Sequence, residues 1–509
     1  MRVVRLGALA GAVAVAMAMA PACGGPGVAS HAALADAEAG YIVVTREASA
    51  DADATDEAPL DAGPLVPLTP RLLVPGVASP CAITASGDVV FQNGTGYYAV
   101  PVSGGDATFA LAFIPGSYSG YGAQGDFFWV VGGDKVGTTG AIGVWSRATG
   151  AATTSVNPST AAPYPPRIDA AGARMIYEQI GATSGTVDVV GASVTFSDVT
   201  PLVSGLNELS YNHNGWVGET AVVGGEPWGP DATAGSLTLG AFSGASWASQ
   251  PIAGDLPILP YGSPIFIGDP GGASVVAIST GGGATLFPLD GGPSTSIDPA
   301  ASSLGYFLHD GRLLYATAGD VRVSSTTTPS PHILFGMPFG GFAGLSNDET
   351  WFVFSDAMPG GDMRLGSTLT SGPGVPVGAW ASTSFGYDVF TADSRFALSI
   401  TDFDGDTVSG TLTITAVAGG QRTAASSALG LGVWGMSGSQ VLAIDNVVND
   451  ASDGLVGDLE WIDASGSTPT VTLAKTFPAN VVVSDDRKYA AYYDDEGAWG
   501  PGLYVIEFP

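Results

Sequence analysis

Carboxylates are the residues of this chain that could do chemistry. The densest run is Asp402-Phe-Asp404-Gly-Asp406, where alternate acids around a glycine that permits a tight bend offer the oxygen ligands a Ca²⁺ ion takes. A full calcium loop would close with a bidentate Glu, and Thr413 stands at that place; a plain solvated turn is the competing reading. Acids also recur with a positional rule. Asp134, Glu178, Asp320, Asp356, Asp402, Asp445 and Asp494-Asp495-Glu496 each fall at the end of a short apolar stretch or in the loop after it. If those stretches are equivalent strands, the acids gather on one face as a rim for a ligand, with Asp356, Asp445, Asp494, Asp495 and Glu496 as its members. Asp is a favoured turn residue for local reasons, which is the alternative for any one of them. Trp499, in Gly497-Ala-Trp-Gly-Pro501 beside the last acids, is the tryptophan expected to touch a ligand. Trp129, Trp145, Trp351, Trp434 and Trp461 lie inside apolar runs and are expected to pack.

Other chemistries lack their residues. The chain has no Gly-x-Ser-x-Gly, Gly-Lys-Ser/Thr, His-Glu-x-x-His or Cys-x-x-Cys, and its four histidines (His31, His213, His309, His332) are scattered. No catalytic residue is assigned. The charge points the same way as the motifs: 47 acids against 16 bases give −31 at neutral pH. Phosphate binding needs clustered Lys and Arg, so nucleic acid is not an expected partner, and anionic lipid head groups are not an expected surface.

The N-terminus reads as processed. Met1-Arg-Val-Val-Arg5 is cationic, Leu6 to Ala20 is an uncharged Ala/Val/Met run, and small residues surround Cys23. The run is short for a membrane span and fits an export signal. Its end resembles a bacterial lipoprotein signal, which implies residues 1–22 as the signal and Cys23 as the lipidated first residue. Ala18-Met19-Ala20 is also an A-x-A site for simple secretion. With Cys23 lipidated, Cys81 is expected as a buried small hydrophobe; with Cys23 free, a Cys23–Cys81 disulfide is the alternative. Residues 23–70, rich in Ala, Asp and Pro, have too few large apolar residues to offset ordering and read as a tether.

From residue 71 to 509 one phrase repeats about ten times: a turn rich in Asp, Gly and Ser, a short apolar strand, a polar loop and a further strand. The turns fall near 84, 122, 169, 211, 265, 309, 346, 391, 436 and 483. Intervals of forty to fifty residues match one four-stranded blade, and Gly and Pro interrupt every window long enough for a helix. The expected fold is all-β, a β-propeller of four-stranded antiparallel blades with about ten units, or seven or eight blades with insertions. In the third unit the strands are expected at Pro166–Asp169, Arg174–Glu178, Thr186–Gly191 and Thr195–Val199. The last unit lacks an outer strand, and residues near Leu72–Val74 are expected to supply it beside Tyr504–Phe508.

Asp310-Gly-Arg-Leu-Leu-Tyr315, Asp393-Ser-Arg-Phe-Ala-Leu398 with Gly410-Thr-Leu-Thr-Ile-Thr-Ala416, and Asp486-Arg-Lys-Tyr-Ala490 with Leu503-Tyr-Val-Ile-Glu507 resemble the repeats of TolB-type (WD40-like) β-propellers. The resemblance implies a propeller with binding roles and carries no catalytic residue. The resulting expectation is a non-enzymatic cell-envelope lipoprotein that binds a protein, peptide or glycan through its acidic loop face, with no cofactor unless calcium. A glycan-active lyase or hydrolase using central carboxylates is the alternative.

Overall fold

The computed structural model describes residues 68–508 apart from 95, 115–117, 134–139, 158–165, 170, 184–185, 208–212, 226–234, 244–245, 257–265, 280–281, 338, 357–360, 380–382, 405–406, 451–453, 479 and 498. Its strands form ten four-stranded antiparallel sheets, with no helix among the described residues. In chain order these blades run Ser79–Ala112, Tyr118–Asn157, Arg167–Asn207, His213–Leu256, Phe266–Asp298, Ala301–Phe335, Gly341–Ala379, Thr383–Leu429, Val433–Pro478 and, as blade 10, Val481–Glu507. Ten is thus the blade count, and the expectation of seven or eight with insertions is set aside.

Closure follows from an unfinished edge. Blade 10 has only three strands of its own, and an open edge would leave unpaired backbone donors and acceptors. The strand Arg71–Pro75 fills it, antiparallel to Gly502–Glu507, with Leu72 opposite Tyr504 and Val74 opposite Leu503. Gly502 is a glycine because a Cβ there would run into the Leu72 side chain. The apolar clusters lie between successive blades and go all the way round. Trp434, Leu442 and Trp461 of blade 9 meet Tyr492, Tyr504 and Ile506 of blade 10. Val89, Phe91 and Val100 of blade 1 meet Ala491, Leu503 and Val505 of blade 10. Leu68, just before the closing strand, packs against the former cluster. Each tryptophan expected in packing does pack, with Trp145 and Trp461 almost fully buried.

First strands lie side by side where blade 10 meets blade 1, and likewise between blades 1 and 2 and from blade 3 to blade 6, as strands that line the centre of a ring must. Turns from first to second and third to fourth strands emerge on one side, here the turn face. Loops from second to third strands, and the connections between blades, emerge on the other, the loop face.

On the turn face the repeated phrase has one physical form. In blade 10 the Ser484 hydroxyl donates to Asp486 at 2.7 Å and accepts the Tyr489 N–H at 2.9 Å, while Asp486 accepts the Lys488 N–H at 3.1 Å. Ser346 with Asp348, and Thr391 with Asp393, repeat it. The Ser346–Trp351 phrase is therefore a structural turn. Every such turn puts one residue in the left-handed region. Seven blades use glycine, Gly311 at φ 80° for example, and three use Glu349 (58°), Ser394 (62°) and Arg487 (61°). A side chain there costs about 1–2 kcal/mol. All three reach the preceding blade. Glu349 accepts the His309 N–H at 2.8 Å and contacts His309 Nδ1 at 2.6 Å, Ser394 Oγ accepts the Asp348 N–H, and the Arg487 carbonyl accepts the Ser437 N–H at 3.3 Å.

One strand differs from expectation. The outer strand of blade 3 is Thr200–Asn207, and Thr195–Val199 belongs to the turn before it. Phe196 is left-handed there (φ 56°) and packs edge-on against Tyr177, while Asp198 caps the Ser193 N–H at 2.6 Å. Phe196 reaches the core from a turn, which gives the segment the apolar pattern of a strand.

Candidate functional site: the loop face of blades 8 to 10

The acids of the expected rim divide by blade. Asp320 is held by Arg322 at 2.7 Å, whose other arm meets the buried Asp298 at 3.0 Å. Asp356 is held by Arg364 at 2.6 Å and accepts the Asp362 N–H, interactions that draw its pKa down against its burial. Glu178 is buried within blade 3, and Asp134 lies outside the described residues. The evenly acidic rim thus contracts to a sector, because on blades 6 and 7 the third strand supplies an arginine that neutralises the acid.

Blades 8 to 10 supply none there. Of their five bases, Arg395, Arg487 and Lys488 belong to turn-face turns. Arg422 reaches the Ala464 carbonyl at 3.1 Å on the same side, leaving Lys475 on the loop side. Asp402 and Asp404 are exposed in blade 8, and Asp404 accepts the Thr407 hydroxyl at 3.3 Å. Asp406 lies outside the described residues. Asp402 has a backbone role: at φ 52° it is the left-handed residue of a β-bulge between Thr401 and Asp404, which turns Phe403 towards the blade 8 core. Asn446 (φ 53°) does the same one blade on, sending Val447 inward. Among the described residues no three acids, histidines or cysteines converge as metal ligands would.

In blade 9, Asp445 is buried and accepts the Ser427 N–H of blade 8 at 2.8 Å; Asp458, opposite it, accepts the Asn446 side-chain amide at 2.9 Å. Glu460 beside them has its pKa raised, first by burial and then by the charges of Asp445 and Asp458.

Blade 10 carries the most developed arrangement. Trp499 lies over Tyr504 with ring centres 6.2 Å apart, and Tyr504 stacks on Tyr492 at 5.8 Å. The Tyr504 hydroxyl donates to the Gly500 carbonyl at 2.6 Å and accepts the Trp499 N–H at 3.2 Å, so the loop is tied to its own strand. Gly497 must be a glycine, since a Cβ would strike the Tyr504 ring. Trp499 remains 56% exposed, and Val448, past the bulge in the second strand of blade 9, 57%. Between the blades is an open cavity of about 250 Å³, lined by Thr472, Leu473, Ala474 and Lys475 on the blade 9 side and Asp494, Glu496 and Gly497 on the other. Asp494 is 6% exposed and accepts the Glu496 N–H at 2.9 Å. Its pKa is raised, chiefly by burial and further by Asp495 and Glu496. The cleft therefore combines crowded carboxylates and one lysine, and the exposed indole stands on the same blade 10 loop that lines it through Glu496 and Gly497.

The inner strands hold no Asp or Glu among the described residues. Asp388, in an irregular stretch of blade 8 on the channel side, is engaged by Arg487 at 2.7 Å. The paired central carboxylates of the glycan-active alternative are not found on those strands. Cys81 is buried in the core of blades 1 and 2, its thiol directed to the Ser79 carbonyl at 3.6 Å; Cys23, with the signal and nearly all of the tether, lies outside the described residues.

No family model matches the chain, and no curated protein matches it. Solved structures similar to it include a eukaryotic initiation factor, at 11% identity over 78% of this chain and 88% of that one, with a TM-score of 0.44. BamB from Moraxella catarrhalis is 12% identical over 71% of this chain and 97% of that one, TM-score 0.39. An oligogalacturonate lyase in complex with manganese is 10% identical over 87% and 97%, TM-score 0.33. These likenesses carry no ligand or activity across.

Proposed function

We propose that this ten-bladed propeller is a non-enzymatic binding module of the TolB type, exported and held at the cell envelope by lipid on Cys23. It engages a protein, peptide or glycan partner through the loop face of blades 8 to 10. The observation that carries the reading is the cleft between blades 9 and 10. There Asp494, Glu496 and Lys475 line a cavity beside the exposed Trp499, and an exposed aromatic anchor with a polar rim is the common make-up of a recognition surface. Crowded carboxylates at the cleft favour a cationic group on the partner, which relieves their mutual repulsion. Calcium at Asp402, Asp404 and Asp406 is kept as a subsidiary proposal, since the first two side chains are exposed.

Site-specific photo-crosslinking in the full-length protein in cells tests this. A photoreactive residue at Asp495, on the loop face, should capture a partner that the same residue at Lys488, on the turn face, does not, and Trp499→Ala should weaken capture. Equal capture from both faces defeats the loop-face assignment. Mass spectrometry of the mature N-terminus, with Cys23→Ala as control, tests the anchor separately.

A further inference from the structure

Blade 8 contains a departure from the repeat that the loop-face reading does not use. Its first strand pairs with its own second strand at Thr383–Ser384 and again at the Phe390–Ala397 bridge. Between these points the chain leaves its own blade and lies on blade 9. The N–H groups of Tyr387 and Asp388 both point to the Val433 carbonyl, at 3.0 and 3.4 Å. Gly386 permits the approach, since a Cβ there would stand 2.5 Å from that carbonyl oxygen. The detour forgoes ladder hydrogen bonds in blade 8, and its result is specific. The Tyr387 ring is laid almost parallel (13°) on Trp434, 5.4 Å between centres. Trp434 is thereby almost wholly buried, while Tyr387 is left 60% exposed on the channel side.

The polar groups next to this ring are also fixed. The Asp388 carboxylate accepts the Gly435 N–H at 3.0 Å and an Arg487 N–H at 2.7 Å. Arg487 comes from blade 10 and spans the inner end of blade 9 to reach it. The pair is neutral overall, and its partly exposed side chains carry both accepting and donating atoms.

We propose that Tyr387, backed by Trp434 and flanked by Asp388 and Arg487, is a binding platform for the face of a neutral sugar ring. One face of a pyranose is a set of C–H bonds whose partial positive charge suits the negative face of an aromatic ring. Its hydroxyls both donate and accept, as the carboxylate and guanidinium require. A neutral ion pair has no net preference for a charged ligand, and the acidic field of the chain opposes a polyanionic glycan. The site lies on the channel side, away from the Trp499 cleft, and does not depend on the loop-face reading.

The test is titration of the full-length protein with neutral hexasaccharides of glucose (α- and β-linked) and N-acetylglucosamine, and with a uronic-acid hexasaccharide, by calorimetry and tryptophan fluorescence. At least one neutral sugar should saturate and perturb the Trp434 emission. Tyr387→Phe should bind within about threefold of wild type, and Tyr387→Ala at least tenfold more weakly. Tyr387→Leu keeps an apolar cover over Trp434 without the aromatic face and should also lose binding while retaining the wild-type melting temperature. Leu369→Ala, at an exposed site on blade 7, should bind normally. Absence of saturation by every neutral sugar, preference for the uronic-acid sugar, or binding that survives Tyr387→Leu each overturns the proposal.

Discussion

Ser394 Oγ accepts the backbone N–H of Asp348 in the preceding blade at 3.1 Å while its own backbone is left-handed. The hydrogen bond, worth about 1 kcal/mol, is of the same size as the conformational cost of about 1–2 kcal/mol. Ser394→Gly should therefore leave the urea midpoint nearly unchanged. Gly438→Ala, at φ 65° with open space around it, incurs the same backbone cost with no compensating contact. It should lower stability by about 1–2 kcal/mol.

Ring closure rests on a single strand. Leu72→Asp places a charge against Gly502 and Tyr504 and should cost about 3 kcal/mol or more, by lost burial and an unpaired carboxylate. Leu369→Asp, at a 60% exposed site, is the control and should cost little. Equal unfolding midpoints for the two variants would contradict closure by residues 71–75.

The raised pKa of Glu460 has a defined consequence for pH dependence. Its folded-state pKa lies above the unfolded value of about 4.3, so between the two the folded protein holds a proton that the unfolded chain does not. Stability contributed by this group accordingly falls as pH rises through that window and stays reduced above it. Glu460→Gln should raise stability at pH 7 and leave it nearly unchanged at pH 4. Asp298, Asp356 and Asp486 have lowered values and act oppositely, contributing stability at neutral pH that is lost as pH falls through their folded-state pKa. Denaturant titrations from pH 3 to 8 on both forms separate the terms.

Asp494 links pH to binding. Protonated at low pH by its raised pKa, it gains charge as pH rises, so affinity for a pentalysine amide probe should increase across that range. Asp494→Asn should flatten the dependence, and added salt should weaken binding. An unaltered pH profile in Asp494→Asn would remove this carboxylate from the cleft's recognition of cations.

For calcium, calorimetric titration should show binding in wild type that is lost in Asp404→Ala. Asp402→Gly relieves the left-handed backbone and should leave the bulge intact. No heat in wild type ends the calcium proposal.

The repeat was legible because its turn chemistry is local: Ser or Thr, Asp and a left-handed residue within five positions announce the same hydrogen bonds wherever they occur. Closure was legible from the missing fourth strand of the last unit. Turn composition alone overstates the acidic rim. Whether an acid stays uncompensated depends on a cross-strand arginine such as Arg364, eight residues beyond Asp356, which turn composition does not reveal. Asp402 also answers to a second demand that its spacing does not show, because a β-bulge favours a small polar residue that tolerates a positive φ. Nothing in the sequence singles out Tyr387. Within Thr383-Ser-Phe-Gly-Tyr-Asp388 it reads as an ordinary strand aromatic, and only Gly386 hinted that the backbone makes a close approach there.

The closing strand also fixes where the chain enters the ring. Arg71, at its start, hydrogen-bonds the Ser103 carbonyl in a turn-face turn at 2.7 Å, and Gly76, just past its end, donates to the Pro501 carbonyl on the loop side. The chain thus enters the disc at the rim of its turn face. The segment that precedes the propeller therefore departs from the face opposite the Trp499 cleft, so it need not cross that cleft to leave the disc.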